Sequence, residues 1–497
     1  MSLNVDVKTA KVGFWHMPKT FYIVVLIECW ERFAFYGMQA VSVIYFVQKF
    51  GLTEAHADNI LGSFSALLYA MLTIGGMIGD KILGLRRTYV LGIIFLALGY
   101  AVTSMADQPN LLYLGMAIIL VGNIFFKTNA NNYISRCFES NDPRLDSAFT
   151  YFYMAINLGG LISAILVPIV AQAYSYTAGL GLCSLGMLIA LITYFIFREH
   201  FKSSDNQVGK NSKNMWVKLL FTLIVALFVV FLFSYMLNNL VLSKFVLYIV
   251  SISILIVYLF IASRLNHYEA KGMYLALLLI LITVIFWILY IQVFTSITFF
   301  ALHNIQRNFF NYEVPPGISQ GLSSFFIIML SPVLANSYIM LYKRDIKIGI
   351  PVKFVTGILA TGLCFIVLAV SANFFADAAA KVSVIWLAIA YVFYALGELL
   401  VSALGASMVA QLLPKRFGGF AQGVWYLAAA IGIKTGSQLS GLAAADHNGS
   451  MDNFVILHSY ISLFYKLGGA AIILALLLFF TVRPITKIMA QVLEHKY

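Results

Sequence analysis

Charge is what this sequence has least of. Only 10% of its 497 residues are Asp, Glu, Lys or Arg, and 61% are hydrophobic; a soluble domain carries about 25% charged residues. That deficit excludes a soluble globular protein. It points to helices that cross a bilayer, each needing about 20 apolar residues. Acidic side chains are the scarcer sign, 20 against 32 basic ones. The resulting excess of +12 does not imply nucleic acid, because the basic residues fall in short loops between apolar runs, as the positive-inside rule expects. Cysteine is rare too. Cys29, Cys137, Cys183 and Cys364 have no spacing that suggests a metal site or a disulfide framework. The first twenty residues lack a short apolar core with a small-residue cleavage site, so the first span is expected to act as its own insertion signal.

What is present is a succession of apolar runs. Fourteen spans are expected, near 21–50, 57–79, 88–105, 111–132, 145–173, 176–197, 215–237, 243–265, 274–301, 318–342, 353–373, 382–412, 418–442 and 456–482. Lys and Arg concentrate in the loops after even-numbered spans, from Lys81, Arg86 and Arg87 to Lys415 and Arg416. Both termini are therefore expected in the cytoplasm. The polar stretch Arg198 to Asn214, with Ser203 to Lys210 at its centre, reads as a linker. Spans 7 and 8 after it lack buried charge and read as an inserted hairpin. The expected division is 1–200, a six-helix bundle; 201–270, the linker and hairpin; and 271–497, a second six-helix bundle. The fold class is thus all-α integral membrane, two six-helix bundles plus a hairpin, as in the major facilitator fold.

Against this apolar background a few polar groups stand out. Glu28, Glu31 and Arg32 lie inside the first span, where charge is expensive and in spanning segments usually faces a partner or a water-filled cavity. Helical spacing stacks Glu28, Arg32 and Tyr36 on one face with Glu31 beside them. Lys127, in span 4, either snorkels to the interface or partners those carboxylates. In the second reading, protonating a Glu frees the Lys for an anionic group. Asn157, in span 5, is a membrane-embedded amide that needs a partner. Between spans 2 and 3, Gly75 to Arg87 joins glycines, Asp80 and basic residues, and resembles the signature loop of major facilitators.

Two motifs carry a closer resemblance. Glu28-x-x-Glu31-Arg32-Phe33-x-Phe35-Tyr36 is similar to the E-x-x-E-R-F-x-Y-Y pattern of the proton-dependent oligopeptide transporters, with one Tyr replaced by Phe. Phe152, Tyr153, Ile156, Asn157 and Gly159 meet that family's F-Y-x-x-I-N-x-G in full. The resemblance covers nearly the whole chain and looks most like bacterial di- and tripeptide permeases. It implies proton-coupled symport of di- and tripeptides by alternating access, with no covalent chemistry and no cofactor beyond the proton gradient. It implies a functional monomer in a bacterial inner membrane whose partners are peptide, protons and lipid. Glu28, Glu31, Arg32 and Lys127 would couple protons, and Arg32 and Lys127 would hold the peptide carboxylate. Tyr36, Gln39, Tyr69, Tyr290 and Ser323 would line the pocket. Asn157 would bond the peptide backbone and Glu398 would take its amino terminus. Trp287 and Trp425 would either wall side-chain pockets or only pack.

Several positions depart from the pattern. Many members carry a second Arg where this chain has Gln39, and its acidic partner aligns with Ile291. Losing one alone would strand a charge; losing both leaves closure of that gate to packing or neutral hydrogen bonds. Ser323-Ser324 stands where the family often has Asn–Pro. The helix-2 His of animal members aligns with Gly62, and His56 is expected to be solvated in the preceding loop. Lys434 matches no family motif; it either faces the cavity or pairs with a nearby polar group. Transport of another small solute (amino acid, nitrate or drug) is the alternative function, and a non-transporting receptor or enzyme is disfavoured by the absence of any sizeable soluble domain.

Overall fold

The computed structural model describes residues 14–138, 144–203, 214–344, 349–413, 418–446 and 452–494. Among them the chain forms fourteen long helices: α1 (Lys19–Phe50), α2 (Glu54–Lys81), α3 (Leu85–Ser104), α4 (Pro109–Arg136), α5 (Leu145–Ala173), α6 (Tyr176–Ile196), α7 (Met215–Asn238), α8 (Leu240–Ser263), α9 (His267–Tyr290), α10 (Gly321–Lys343), α11 (Ile350–Phe374), α12 (Val384–Leu412), α13 (Gly418–Asp446) and α14 (Asn453–Glu494). Each coincides with one expected span, and twelve meet both the length and the hydropathy needed to cross a membrane. The linker expected around Ser203 to Lys210 falls, past Ser203, outside the described residues.

Local chemistry sets the helix ends. Ser175 Oγ accepts from Ala178 N at 3.1 Å to start α6, and Asn239 Oδ1 accepts from Leu242 N at 3.1 Å to start α8. Both are N-cap bonds that satisfy donors the helix cannot. Pro109 opens α4, where its missing N–H costs nothing. Helix α2 begins at Glu54, one turn earlier than hydropathy suggested. His56 therefore lies in its first turn and is half-buried, not in a solvated loop. Apolar periodicity cannot mark a first turn made of Glu, Ala, His and Ala.

The ninth span is broken rather than continuous. After α9 comes a 3-10 turn, Ile291–Val293, and then a short helix, Ser296–Asn304. Polar side chains take over the backbone's bonds there. Gln292 Nε2 donates to Ile288 O (3.1 Å) and Gly436 O (2.8 Å), Ser296 Oγ donates to Gln292 Oε1 (2.6 Å), and Thr298 Oγ1 donates to Val293 O (2.8 Å). Buried polar partners make irregular backbone tolerable at membrane depth. A two-stranded hairpin follows, β1 (Asn308–Phe309) against β2 (Tyr312–Glu313), turned by Phe310 and Asn311 at positive φ.

The chain divides into two compact units, Met1–Met38 with Met71–Tyr235, and Gln39–Ala70 with Met236–Tyr497. In the first, α3 packs along α4 and α6. In the second, α11 packs on α12 and α14, and α9 along α13. The hairpin helices α7 and α8 have only 28% and 22% of their apolar windows buried, against 72% for α4, which leaves their aliphatic surface for lipid.

The α3–α4 contact depends on Gly92. A Cβ there would lie 2.7 Å from Phe126 N and 2.8 Å from Phe126 Cβ. Replacing Gly92 by Val is expected to cost about 1–3 kcal/mol through overpacking, read as a lower thermal unfolding midpoint in detergent. An unchanged midpoint would contradict the contact.

Candidate functional site

The first cluster grows from one turn of α1. Glu28, Glu31 and Arg32 are all buried, with side-chain exposures of 3%, 0% and 3%. Arg32 Nε lies 3.4 Å from Glu28 Oε1, the i,i+4 pair that helical spacing dictates. Arg32 also binds Glu31 Oε2, which no other part of α1 could neutralise. One oxygen of each carboxylate, Glu28 Oε2 and Glu31 Oε1, is buried without a hydrogen bond. These are open acceptor positions beside a fixed cation.

Phe35, the Tyr-to-Phe departure, has a place in this cluster that sequence reasoning missed. Arg32 Cζ lies 5.0 Å and Lys127 Nζ 5.3 Å from its ring centroid, so one ring meets both cations. Arg32 also lies 5.9 Å from the Tyr36 ring. Lys127 interacts electrostatically with Glu31, Glu28 and Arg32, so the structure brings together all four residues expected to couple charge. Two carboxylates and two cations balance.

The α5 motif explains itself sterically. A Cβ on Gly159 would lie 2.4 Å from Cys29 O and 3.3 Å from Arg32 Cβ, so glycine lets α5 press against the charged turn of α1. Asn157 is buried, and its Nδ2 donates to Tyr153 O at 2.9 Å; part of its capacity is met by its own helix. Asp80, in the last turn of α2, pairs with Arg136 at the end of α4 at 3.8 Å, both about half exposed. Asn129 ties α4 to α2 through a bond from Nδ2 to Gly75 O at 3.2 Å.

The second cluster lies in the other unit. Trp287 is buried between aromatic neighbours, 5.3 Å from Tyr69 and 5.0 Å from Tyr290 by ring centroids, and its Nε1 has no hydrogen-bond partner. Tyr69 also meets Tyr426 at 6.4 Å, and Tyr290 meets Tyr394 at 6.5 Å. Tyr394 hydrogen-bonds Glu398, which also accepts from Ser323 Oγ at 3.4 Å. Contacts thus run without a gap from Tyr69 through Trp287, Tyr290 and Tyr394 to Glu398 and Ser323. Tyr394 and Tyr426 are additions to the expected set; the aromatic count of α12 and α13 was their only signal. Trp425 stands apart, buried against Phe354 of α11 at 6.4 Å, a packing contact.

At the altered gate, Ile291 is buried, and Gln320 Nε2 donates to Gln39 O at 3.4 Å and to Thr298 Oγ1 at 2.9 Å. The bond to residue 39 reaches its backbone carbonyl, and the Gln39 side-chain Oε1 is buried without a hydrogen bond. Lys434 is paired rather than open to a cavity: its Nζ donates to Ser63 Oγ at 2.7 Å and approaches Asn59 O at 3.4 Å. No group of three or more His, Cys, Asp or Glu among the described residues could hold a metal ion.

Known proteins share this sequence pattern and fold. The family profile described as the POT family matches residues 86–454. Dipeptide and tripeptide permease B of Xenorhabdus bovienii is 36% identical over 488 residues, covering 97% of this chain and 99% of that protein. The protein of the same name from Aeromonas hydrophila is 36% identical over 485 residues, covering 97% and 96%. Among solved structures, tetrameric PepTSo2 matches with a TM-score of 0.83 at 30% identity, over 94% of this chain and 98% of that one.

The charge balance around Arg32 makes a direct prediction. Arg32→Leu leaves Glu28 and Glu31 with Lys127 alone, stranding one buried carboxylate, and is expected to cost about 3–5 kcal/mol. Adding Glu31→Gln removes the stranded charge, leaves Glu28 to balance Lys127, and should recover most of the thermal midpoint. Equal midpoints for the single and double variants would show that Arg32 does not neutralise a carboxylate there.

Proposed function

The chain belongs to the POT family, the proton-dependent oligopeptide transporters, and from that premise we propose that it carries di- and tripeptides into the cell with protons, by alternating access and without a cofactor. It is a multi-pass membrane protein of the major facilitator fold and not an enzyme. The observation that carries the mechanism is the balance of Glu28 and Glu31 against Arg32 and Lys127. A proton added to either glutamate leaves one cation in excess, and the excess cation can take a peptide carboxylate. Glu398, held by Tyr394 and Ser323, offers the opposite charge for the peptide's ammonium. The aromatic run from Tyr69 to Tyr394 supplies apolar surface for side chains.

Proton and peptide then depend on each other through one electrostatic account. Without the proton the four charges neutralise one another and have little to offer an anion. Without the peptide, an added proton leaves a buried uncompensated cation, which is costly. The two ligands bind best together, which is the thermodynamic content of symport. The alternative of another small solute loses one support, because Lys434 is held by Ser63 and Asn59 rather than offered to a substrate. We further propose that the chain acts as a monomer in the inner membrane with both termini cytoplasmic.

Glu31→Gln and Lys127→Ala are each expected to abolish gradient-driven accumulation of a dipeptide in proteoliposomes while leaving peptide counterflow partly intact; undiminished accumulation would refute the coupling role. Glu398→Gln is expected to raise KM at least about tenfold, or 1.4 kcal/mol, for a free dipeptide but not for its N-acetylated form, checked by concentration-dependent uptake. An equal effect on both forms would remove Glu398 from amine recognition.

A further inference from the structure

A second set of buried ionisable groups lies in the other unit and takes no part in the mechanism above. The first half of α2 meets α13 along a tight polar seam. A Cβ on Gly62 would lie 1.9 Å from Ser437 Oγ, so the helices approach as closely as backbone allows. On one side of that contact Lys434 Nζ donates to Ser63 Oγ at 2.7 Å. On the other, Ser440 Oγ hydrogen-bonds Asp58 Oδ2. Asp58 is 0% exposed and its Oδ1 has no hydrogen-bond partner. No salt bridge among the described residues includes Asp58 or Lys434.

An ionised carboxylate in such a place would be a buried charge without a counter-ion, which costs several kcal/mol. A carboxylic acid there loses only polar hydration, and Ser440 supplies a hydrogen bond in return. We propose that Asp58 is a second proton-binding site, and that its protonation latches the first half of α2 onto α13. With Asp58 protonated the seam closes dry; on losing the proton, Asp58 needs water or a cation, and the seam must part to provide it. Lys434 holds the same seam by its bonds to Ser63 and Asn59. The latch does not depend on what the substrate is.

Other titratable groups surround the site. On α2 these are Glu54 and His56. His303, after α9, lies 2.5 Å from Glu54, and Tyr460 of α14 donates to Glu54 at 3.2 Å. Lys244 of α8 interacts electrostatically with Lys434. The Glu54–His303 pair is the competing source of any pH response.

Hydrogen–deuterium exchange of the full-length protein in lipid nanodiscs, without peptide, separates them. Protection factors over residues 54–65 are expected to fall at least tenfold between pH 5 and pH 8. Asp58→Asn, which mimics the protonated acid, should hold them high at both pH values, Lys434→Met should lower them at both, and His303→Gln should keep the wild-type response. Persistence of the wild-type response in Asp58→Asn, or its loss in His303→Gln alone, overturns the proposal. The readout needs no flux, so failure of peptide uptake would leave it standing and loss of the response would leave uptake standing.

Discussion

The neutralisation of Arg32 by two glutamates at membrane depth is the constraint around which the first unit is organised. A guanidinium inside a bilayer cannot be left alone, and two carboxylates beside it would over-compensate without a second cation. Helix α4 supplies that cation in Lys127, and α5 comes close enough to enclose the turn because Gly159 has no side chain. The Phe35 ring meets both cations. It keeps two positive groups near each other while its quadrupole offsets part of their repulsion. Each of these features is a response to the same electrostatic cost, and the response leaves carboxylate oxygens open to a proton.

The second unit solves a different problem. Its site is mostly aromatic, with charge confined to Glu398 and hydrogen bonds from Tyr394 and Ser323. Under the proposed function such a surface would accept varied side chains, because aromatic faces contact apolar groups without demanding a particular shape. Ser323, shorter than the Asn common in the family, still reaches Glu398. At the Gln39 and Ile291 departures both side chains are neutral and buried, and Gln320 links the backbone carbonyl of residue 39 to Thr298. A buried neutral pair avoids the desolvation cost that an ion pair would carry.

Helix number, the placement of the charged turn on α1 and the family motifs were legible in the sequence, because hydropathy and helical spacing are local properties and charge in an apolar run is conspicuous. The break after α9 was not legible. Ile291 to Thr298 is apolar enough to read as continuous helix, and only the bonds of Gln292 to Gly436 and of Ser296 to Gln292 show why the backbone can depart from it. The start of α2 and the burial of His56 escaped for a related reason: a first turn takes its structure from what packs on it.

Lys434 marks the boundary most clearly. As a residue in a sequence it was an intramembrane cation with two possible environments, and no local rule chooses between them. Its partner, Ser63, is more than 370 positions away, and a hydrogen bond between distant helices is written in no stretch of either one. The amino-acid sequence by itself determined that this chain is a helical membrane protein with paired charges at depth, because the cost of polar groups in lipid acts on each span separately. Only the tertiary structure decided which distant groups meet those charges, because that depends on how closely helices approach, and their approach is set by side-chain volume on both faces at once.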